Sequence, residues 1–321
     1  METCIVVPKK TWTRLYGPCQ TLNQDPTSVR HGLMLHGQLM CVRMVRKKYW
    51  KISVARVAKS ANSTMSNKLE GKIAIITGGA SGIGEAAAHH FAAHGAQMIV
   101  IADIQDELGQ KVVESIGSHK CSFMHCDVTD EEQVKNLVQS TVQNYGRLDI
   151  MFGNAGIFSS STQTVLELDL AQFDRLFNIN VRGMAACVKH AARAMVELNV
   201  RGSIVCTASV ASSTAGEMNT DYFITKHAVL GLMRSASKQL GVHGIRVSSV
   251  SPSAVGTPLL CRYLGKEVEE VEQTYEPYTR LKGVVLKTKH VADAVLFLAS
   301  QDSELITGHD LVVDAGYHLV Y

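Results

Sequence analysis

No run of eighteen apolar residues occurs in the 321-residue chain, which excludes a membrane-spanning helix. No C-x-x-C pair occurs among its eight cysteines, Cys4, Cys19, Cys41, Cys121, Cys126, Cys187, Cys206 and Cys261, so neither a disulfide framework nor a zinc site is indicated. Several stand in apolar, strand-like stretches and read as small buried thiols in a reducing compartment. Acidic residues are nearly missing from the first 68 positions, which hold only Glu2 and Asp25 against twelve Lys and Arg, a net charge of +10. The remainder carries twenty-seven acids against twenty bases, so the overall +3 conceals a body of net charge −7. An acidic body repels phosphate, which argues against nucleic acid as a partner of the core. Neither an internal repeat nor a low-complexity block is present.

What is there falls into two parts. Residues 1–67 form a basic leader with no sustained period of 3.6 or 2, broken repeatedly by Gln, Thr, Ser, Pro and Gly. A basic leader so poor in acids reads as an organellar transit peptide, which would place the protein in a mitochondrion or plastid. The alternatives are an upstream extension of the gene with Met65 as the working start, giving a cytoplasmic protein, or an interaction tail. In each case poor order is expected. Residues 68–321 alternate short apolar strands with amphipathic segments. Strands are expected at Lys72–Ile76, Gln97–Ala102, Cys121–Cys126, Leu148–Phe152, Ser203–Thr207, Ile245–Val250 and Leu311–Val313. Helices are expected from Ile83, Asp106, Asp130, Ala171 (unbroken to Leu198), Asp221 and His290. This alternation predicts one α/β domain, a doubly wound parallel sheet with helices on both faces.

The glycine turn Thr77–Gly84 leaves the first strand and enters the first helix, the context that a phosphate cradle requires. Gly78, Gly82 and Gly84 let the backbone bend and approach a pyrophosphate, flanked by Ser81 and Ile83. Asp103 ends the second strand, where a carboxylate accepts from ribose hydroxyls and repels a 2′-phosphate. No basic residue precedes Gly82 in the turn, so NAD is expected rather than NADP. Asp127 and Val128 close the third strand where an adenine edge would lie, and Asn154-Ala155-Gly156 close the fourth.

Tyr222 and Lys226 are four residues apart and share one helix face. A tyrosine is a poor base at neutral pH, and a nearby ammonium favours its phenolate. Lys226 is therefore expected to lower the phenol's pKa and to bind the nicotinamide ribose. Ser209 ends the fifth strand and is placed to hold a substrate oxygen. Asn180 is the candidate for holding a water that passes protons to solvent. The set suits proton transfer at an alcohol carbon while hydride moves to or from a nicotinamide.

Taken with Ser251-Pro252 and Thr257-Pro258, these motifs make residues Leu69 to Val320 resemble the short-chain dehydrogenase/reductase family. The resemblance implies the strand order 3-2-1-4-5-6-7, a homodimer or homotetramer, and coenzyme contacts from the segment carrying Pro252, Val255 and Thr257. The stretches His125-Cys126-Asp127, Leu170–Arg175, Ala185–Lys189 and Leu281-Lys282-Gly283 are similar to plant enzymes acting on monoterpenoid alcohols, of the isopiperitenol and borneol dehydrogenase type. Two departures are Gly153, where many members have Asn, and Ala315, where Gly is common. The segments Ile157–Val165, Val210–Met218 and Val255–Leu264 are mostly apolar, with Phe158, Met218 and Tyr263 as bulky members and Arg262 as the nearby cation. They favour a compact neutral lipophilic alcohol or ketone. Three readings follow: an NAD-dependent secondary-alcohol dehydrogenase (or a carbonyl reductase running the other way), a non-redox terpenoid cyclase or isomerase that retains NAD, and a non-catalytic NAD-binding module.

Overall fold

The computed structural model describes residues 67–317, together with the backbone of five short strands upstream. The chain divides into two units between Thr64 and Met65. In the first, Cys4–Val7 pairs antiparallel with Trp50–Ser53, while Gln38–Arg43 pairs antiparallel with both Arg30–Leu35 and Ala55–Arg56. The rest of the leader lies outside the described residues.

In the second unit the strands are β1 (Ile73–Thr77), β2 (Met98–Asp103), β3 (Cys121–His125), β4 (Ile150–Gly153), β5 (Ser203–Thr207), β6 (Arg246–Pro252) and β7 (Asp310–Val313). They form one parallel sheet in the order β3-β2-β1-β4-β5-β6-β7, as expected. Parallel strands need long crossovers, and these put helices on both faces. Side chains alternate accordingly. Along β1, Ala74 and Ile76 face one core while Ile75 faces the other. The first core holds Phe91 of α1 (Gly82–Ala93), Val113 of α2 (Asp106–Ile116) and Leu296 of α9 (Thr288–Ala299). The second holds Leu137 of α3 (Glu131–Tyr145), Met195 of α5 (Met184–Glu197) and Met233 of α6 (Thr220–Leu240). Each such buried side chain contributes about 1.5–3 kcal/mol. The reversal of strand order between β1 and β4 opens a crevice at the carboxyl ends of the strands, where ligands of such sheets bind.

Local chemistry sets the helix ends. The Asp130 carboxylate accepts from the N–H groups of Glu132 and Gln133 to start α3, and Gly146 ends it at φ 79°. Asp169 caps α4 (Leu170–Phe177) by accepting from Ala171 and Gln172. Each cap contributes about 1 kcal/mol.

The structure departs from the sequence expectation in two places. The helix expected to run unbroken from Ala171 to Leu198 is α4, a π turn at Asn178–Gly183, then α5. Asn180 is buried inside that turn. After β6 the covering segment contains two further helices, α7 (Pro258–Leu264) and α8 (Val268–Tyr275). With seven and eight residues, neither is long enough to show a helical period in sequence. Thr257 caps the first, and Pro258 pre-sets its opening dihedral. Among the described residues no helix is long and apolar enough to cross a membrane.

Candidate active site

The glycine turn between β1 and α1 is held by backbone geometry that side chains would destroy. Gly78 and Gly82 sit at φ 64° and 59°, the left-handed region that favours glycine. A Cβ on Gly84 would lie 2.2 Å from the Gly78 carbonyl oxygen. Ser81 is the N-cap of α1 and makes no side-chain capping bond, and Ser81, Gly82 and Ile83 line the cleft, so the start of the helix is open to an anion there. Asn154 ties the turn to its neighbours. The N–H groups of Asn154 and Ala155 donate to Thr77 Oγ1 at 3.1 and 3.2 Å. Asn154 Nδ2 donates to the Gly78 carbonyl at 3.1 Å, and Thr207 Oγ1 donates to Asn154 Oδ1 at 3.1 Å.

Asp103 is buried at the end of β2. Its Oδ2 accepts from the Ala80 N–H at 3.1 Å and its Oδ1 from the Gln105 N–H at 3.1 Å and Gln105 Nε2 at 3.2 Å. A carboxylate has about four acceptor sites, so capacity for a ribose hydroxyl remains. Asp127 Oδ1 accepts from the N–H and hydroxyl of Thr129 at 2.9 and 2.8 Å.

The second group gathers where β5 meets α6. Ser209 is buried and its Oγ accepts from the Ala211 N–H at 3.1 Å. Lys226 is buried, lies 5.6 Å from the centroid of the Tyr222 ring, and donates from Nζ to the Thr207 carbonyl at 3.1 Å. Burial pushes the phenol up to about 12, with Ser209 pulling the other way. Burial also brings the Lys226 amine down to about 8, with Cys206 opposing. The expected lowering of the phenol by Lys226 is absent from this arrangement: loss of water penalises the phenolate, and only Ser209 opposes it. Asn180 turns its amide away from this group. Its Oδ1 accepts from the Ile157 N–H at 2.8 Å, and its Nδ2 donates to the Ile157 carbonyl at 2.9 Å and Thr225 Oγ1 at 3.3 Å. With the side chain so engaged, a water beside Asn180 would have to be held by the main chain of the π turn.

Both groups open on one cleft of about 1300 Å³. Gly78, Ser81, Gly82, Ile83, Asp103, Asp127, Val128, Asn154, Ala155, Gly156, Ser209, Tyr222, Lys226, Val255 and Thr257 all line it. Gly84 and Asn180 stand behind the lining.

A family model described as enoyl-(acyl carrier protein) reductase matches residues 78–318. A crystal structure of a short-chain type dehydrogenase/reductase from Mycobacterium marinum superposes with a TM-score of 0.72 at 33% identity, covering 79% of this chain and 98% of that one. The chain is a short-chain dehydrogenase/reductase. It is 58% identical over 257 residues to a (+)-cis,trans-nepetalactol synthase of Nepeta racemosa, covering 78% of this chain and 96% of the relative. It is 57% identical over 249 residues to the mitochondrial (-)-isopiperitenol/(-)-carveol dehydrogenase of Mentha piperita, covering 78% and 94%.

Short-chain dehydrogenase/reductases of this fold typically hold NAD or NADP, and the close-packed glycine turn with the Asp103 carboxylate beside it fits such a group. The substrate end was only partly foreseen. Phe158 and Met218 line the cleft, but Tyr263 stands outside the lining, stacked behind Phe158 at 4.4 Å between ring centroids. Tyr275 and Tyr317 line the cleft from α8 and the C-terminal segment, with ring centroids 6.3 Å apart. Neither belongs to a motif, and no spacing in the sequence points to them.

Proposed function

We propose that this short-chain dehydrogenase/reductase oxidises a small lipophilic secondary alcohol of terpenoid type to a ketone with NAD. One observation carries the reading: Ser209, Tyr222 and Lys226 converge at one end of a cleft whose other end is a glycine-built cradle closed by the Asp103 carboxylate. When bound, the dinucleotide supplies the hydride acceptor. Ser209 holds and orients the substrate oxygen, and Tyr222 accepts the hydroxyl proton in its phenolate form, which burial disfavours and a cationic Lys226 favours. Lys226 remains cationic below about pH 8 and stabilises the negative charge that Tyr222 takes on as base. The Phe158 and Met218 side chains supply an apolar wall for a neutral ring system. Asp103 supports NAD over NADP. The cleft's cations are Arg175, Lys226 and Arg262, and none belongs to the turn or to the end of β2. The dehydrogenase from Mentha piperita supports the substrate class by its name and its identity.

The purified full chain is tested against cyclic monoterpenols with NAD and NADP, followed by chiral product analysis. NAD reduction with ketone formation is expected, at least tenfold slower with NADP. Tyr222→Phe lowers turnover by about 10²–10⁴-fold, while calorimetric NAD binding persists. Near-normal turnover in that variant removes Tyr222 as the base.

A second reading, a non-redox terpenoid cyclase or isomerase that retains NAD, draws support from the 58% identity to the nepetalactol synthase. Product formed without any change in reduced coenzyme favours it. Assembly as a homo-oligomer is proposed from the apolar residues that α4 and α6 expose, Leu170 and Ile224. A monomeric mass by light scattering would refute it. Delivery of the leader to an organelle is proposed from its charge, and a mature N-terminus at Met1 would refute cleavage.

A further inference from the structure

Phe158 stands between two rings. Its centroid lies 4.2 Å from that of Tyr222 and 4.4 Å from that of Tyr263. Loop residues in such a place are ordinarily free to change rotamer, yet the backbone on each side of Phe158 is fastened. On one side, both polar groups of the Ile157 backbone bond the Asn180 amide, which in turn reaches Thr225 of α6. On the other, the Ser159 hydroxyl donates to Asp221 Oδ1 at 2.6 Å, and Ser159 and Asp221 are only 4% and 1% exposed. The same Oδ1 accepts from the Tyr222 N–H at 2.8 Å. Behind the phenyl ring, the Tyr263 hydroxyl donates to Asn219 Oδ1 at 3.1 Å. Asn219, Asp221, Tyr222 and Thr225 all belong to the first turns of α6 or its cap. Every fastening of the Phe158 loop thus leads back to the element that carries Tyr222.

We infer that Phe158 is the residue that limits substrate size beside the Tyr222 phenol, and that the Ser159–Asp221 pair is the strut that keeps it there. This inference rests on the reading of the cleft as an alcohol site. The common frame is the reason for the assignment. A wall on an independent loop would yield to a larger ring system, whereas a wall fastened to the base's own helix keeps its distance from the reacting oxygen. Ser159 and Asp221 touch neither the reacting atoms nor the cleft and are positioning residues.

The test uses the full chain with cyclohexanol, carveol and borneol as graded probes. It measures kcat/KM for NAD reduction and, separately, calorimetric affinity for each alcohol in the presence of NAD. Phe158→Ala is expected to raise the borneol-to-cyclohexanol ratio at least tenfold in either measurement. Ser159→Ala is expected to move it several-fold in the same direction. Asp221→Asn keeps an acceptor oxygen and is expected to stay near the parent ratio. A uniform fall in kcat with the ratio within twofold of the parent, in both Phe158→Ala and Ser159→Ala, reduces these residues to packing and overturns the inference. The two proposals fail separately. Alcohols that bind but reduce no NAD end the dehydrogenase reading, and the affinity ratios still decide the role of Phe158. If the parent turns alcohols over and the ratio does not move, only the inference falls. If no alcohol binds or reacts, both fall.

Discussion

At the β1 end of the cleft the working surface is backbone: positive-φ glycines, the opening N–H groups of α1, and a turn so close to the helix that Gly84 has no room for a methyl group. At the β5 end it is side chain: a phenol, an amine, a hydroxyl and a set of rings drawn from the loop after β4, the start of α6, α8 and the C-terminal segment. The two ends differ in what they demand of a sequence. A backbone site requires glycine at fixed offsets within one short stretch, and almost nothing else satisfies it. A side-chain site is assembled by tertiary folding and accepts many residue types at each wall. One end is therefore shared across a family, while the other is free to choose a substrate.

The largest effect is expected from breaking the backbone end alone. Gly84→Ala puts a Cβ against the Gly78 carbonyl, and main chain must move to make room. A loss of at least hundredfold in NAD affinity is expected, roughly 3 kcal/mol, measured by calorimetry. Near-ultraviolet circular dichroism, which reports the packed Tyr222, Phe158 and Tyr263 rings, should stay as in the parent. NAD affinity within threefold of the parent would show that the turn tolerates a shift and that the asymmetry between the ends is overstated.

The side-chain end carries an electrostatic cost that can be read as pH dependence. Lys226 titrates near about 8 in the folded protein against its ordinary 10.5. Between those values the unfolded chain binds more protons than the folded one, so folding stability rises with pH across that window. Tyr222 acts with the opposite sign. Its pKa is raised from 10.0 to about 12, so its contribution is present below 10 and is lost as pH climbs through 12. From about pH 9 upward the thiols of Cys121, Cys126, Cys187 and Cys206, all raised by burial, share the sign of Tyr222, so the amine's contribution, with an upper bound of roughly 3 kcal/mol, is read as the difference between the parent and a variant that lacks it. Lys226→Met should make the slope of stability against pH between 8 and 10 more negative than in the parent, in urea unfolding measured at pH 7, 8, 9 and 10. An unchanged slope in the variant would place the titrating group elsewhere.

The same contrast explains what was legible in the sequence. The alternation of strands and helices, the glycine turn from Gly78 to Gly84, Asp103, and the pairing of Tyr222 with Lys226 rest on short-range patterns: apolar strands between amphipathic helices, glycines at fixed offsets, and an i,i+4 pair; the strand order came only from the family resemblance that these motifs carry. Two things were not legible. The π turn around Asn180 leaves no composition signal, and the bonds that Asn180 makes from it, to the backbone of Ile157, are long-range. The charge balance at Tyr222 was not legible either, since an i,i+4 amine is visible in sequence whereas the depth of burial that raises the phenol is a property of the fold. The walls from Tyr275 and Tyr317 belong to the same class. They come from segments with no motif, and their meeting depends on where α8 and the chain's end are packed.

The smallest effect sharpens the comparison from the side-chain end. Ala315 occupies the place where glycine is common, and it sits at φ 53°, in the left-handed region. Its carbonyl accepts from the Arg280 and Leu281 N–H groups at 2.8 and 3.1 Å, and two residues later the chain delivers Tyr317 to the cleft. Left-handed backbone costs a residue with a Cβ roughly 1–2 kcal/mol, and glycine recovers this but loses about 0.5–1 kcal/mol in unfolded-state entropy. Ala315→Gly should therefore stabilise the protein by about 0.5 kcal/mol, a rise of roughly 1–2 °C in Tm, seen in thermal unfolding. The turn is fixed by its two carbonyl bonds, so Tyr317 should stay in place and turnover should hold. A fall in Tm would mean that the methyl group is packed and that even this backbone position, unlike those of the cradle, is decided by a side chain.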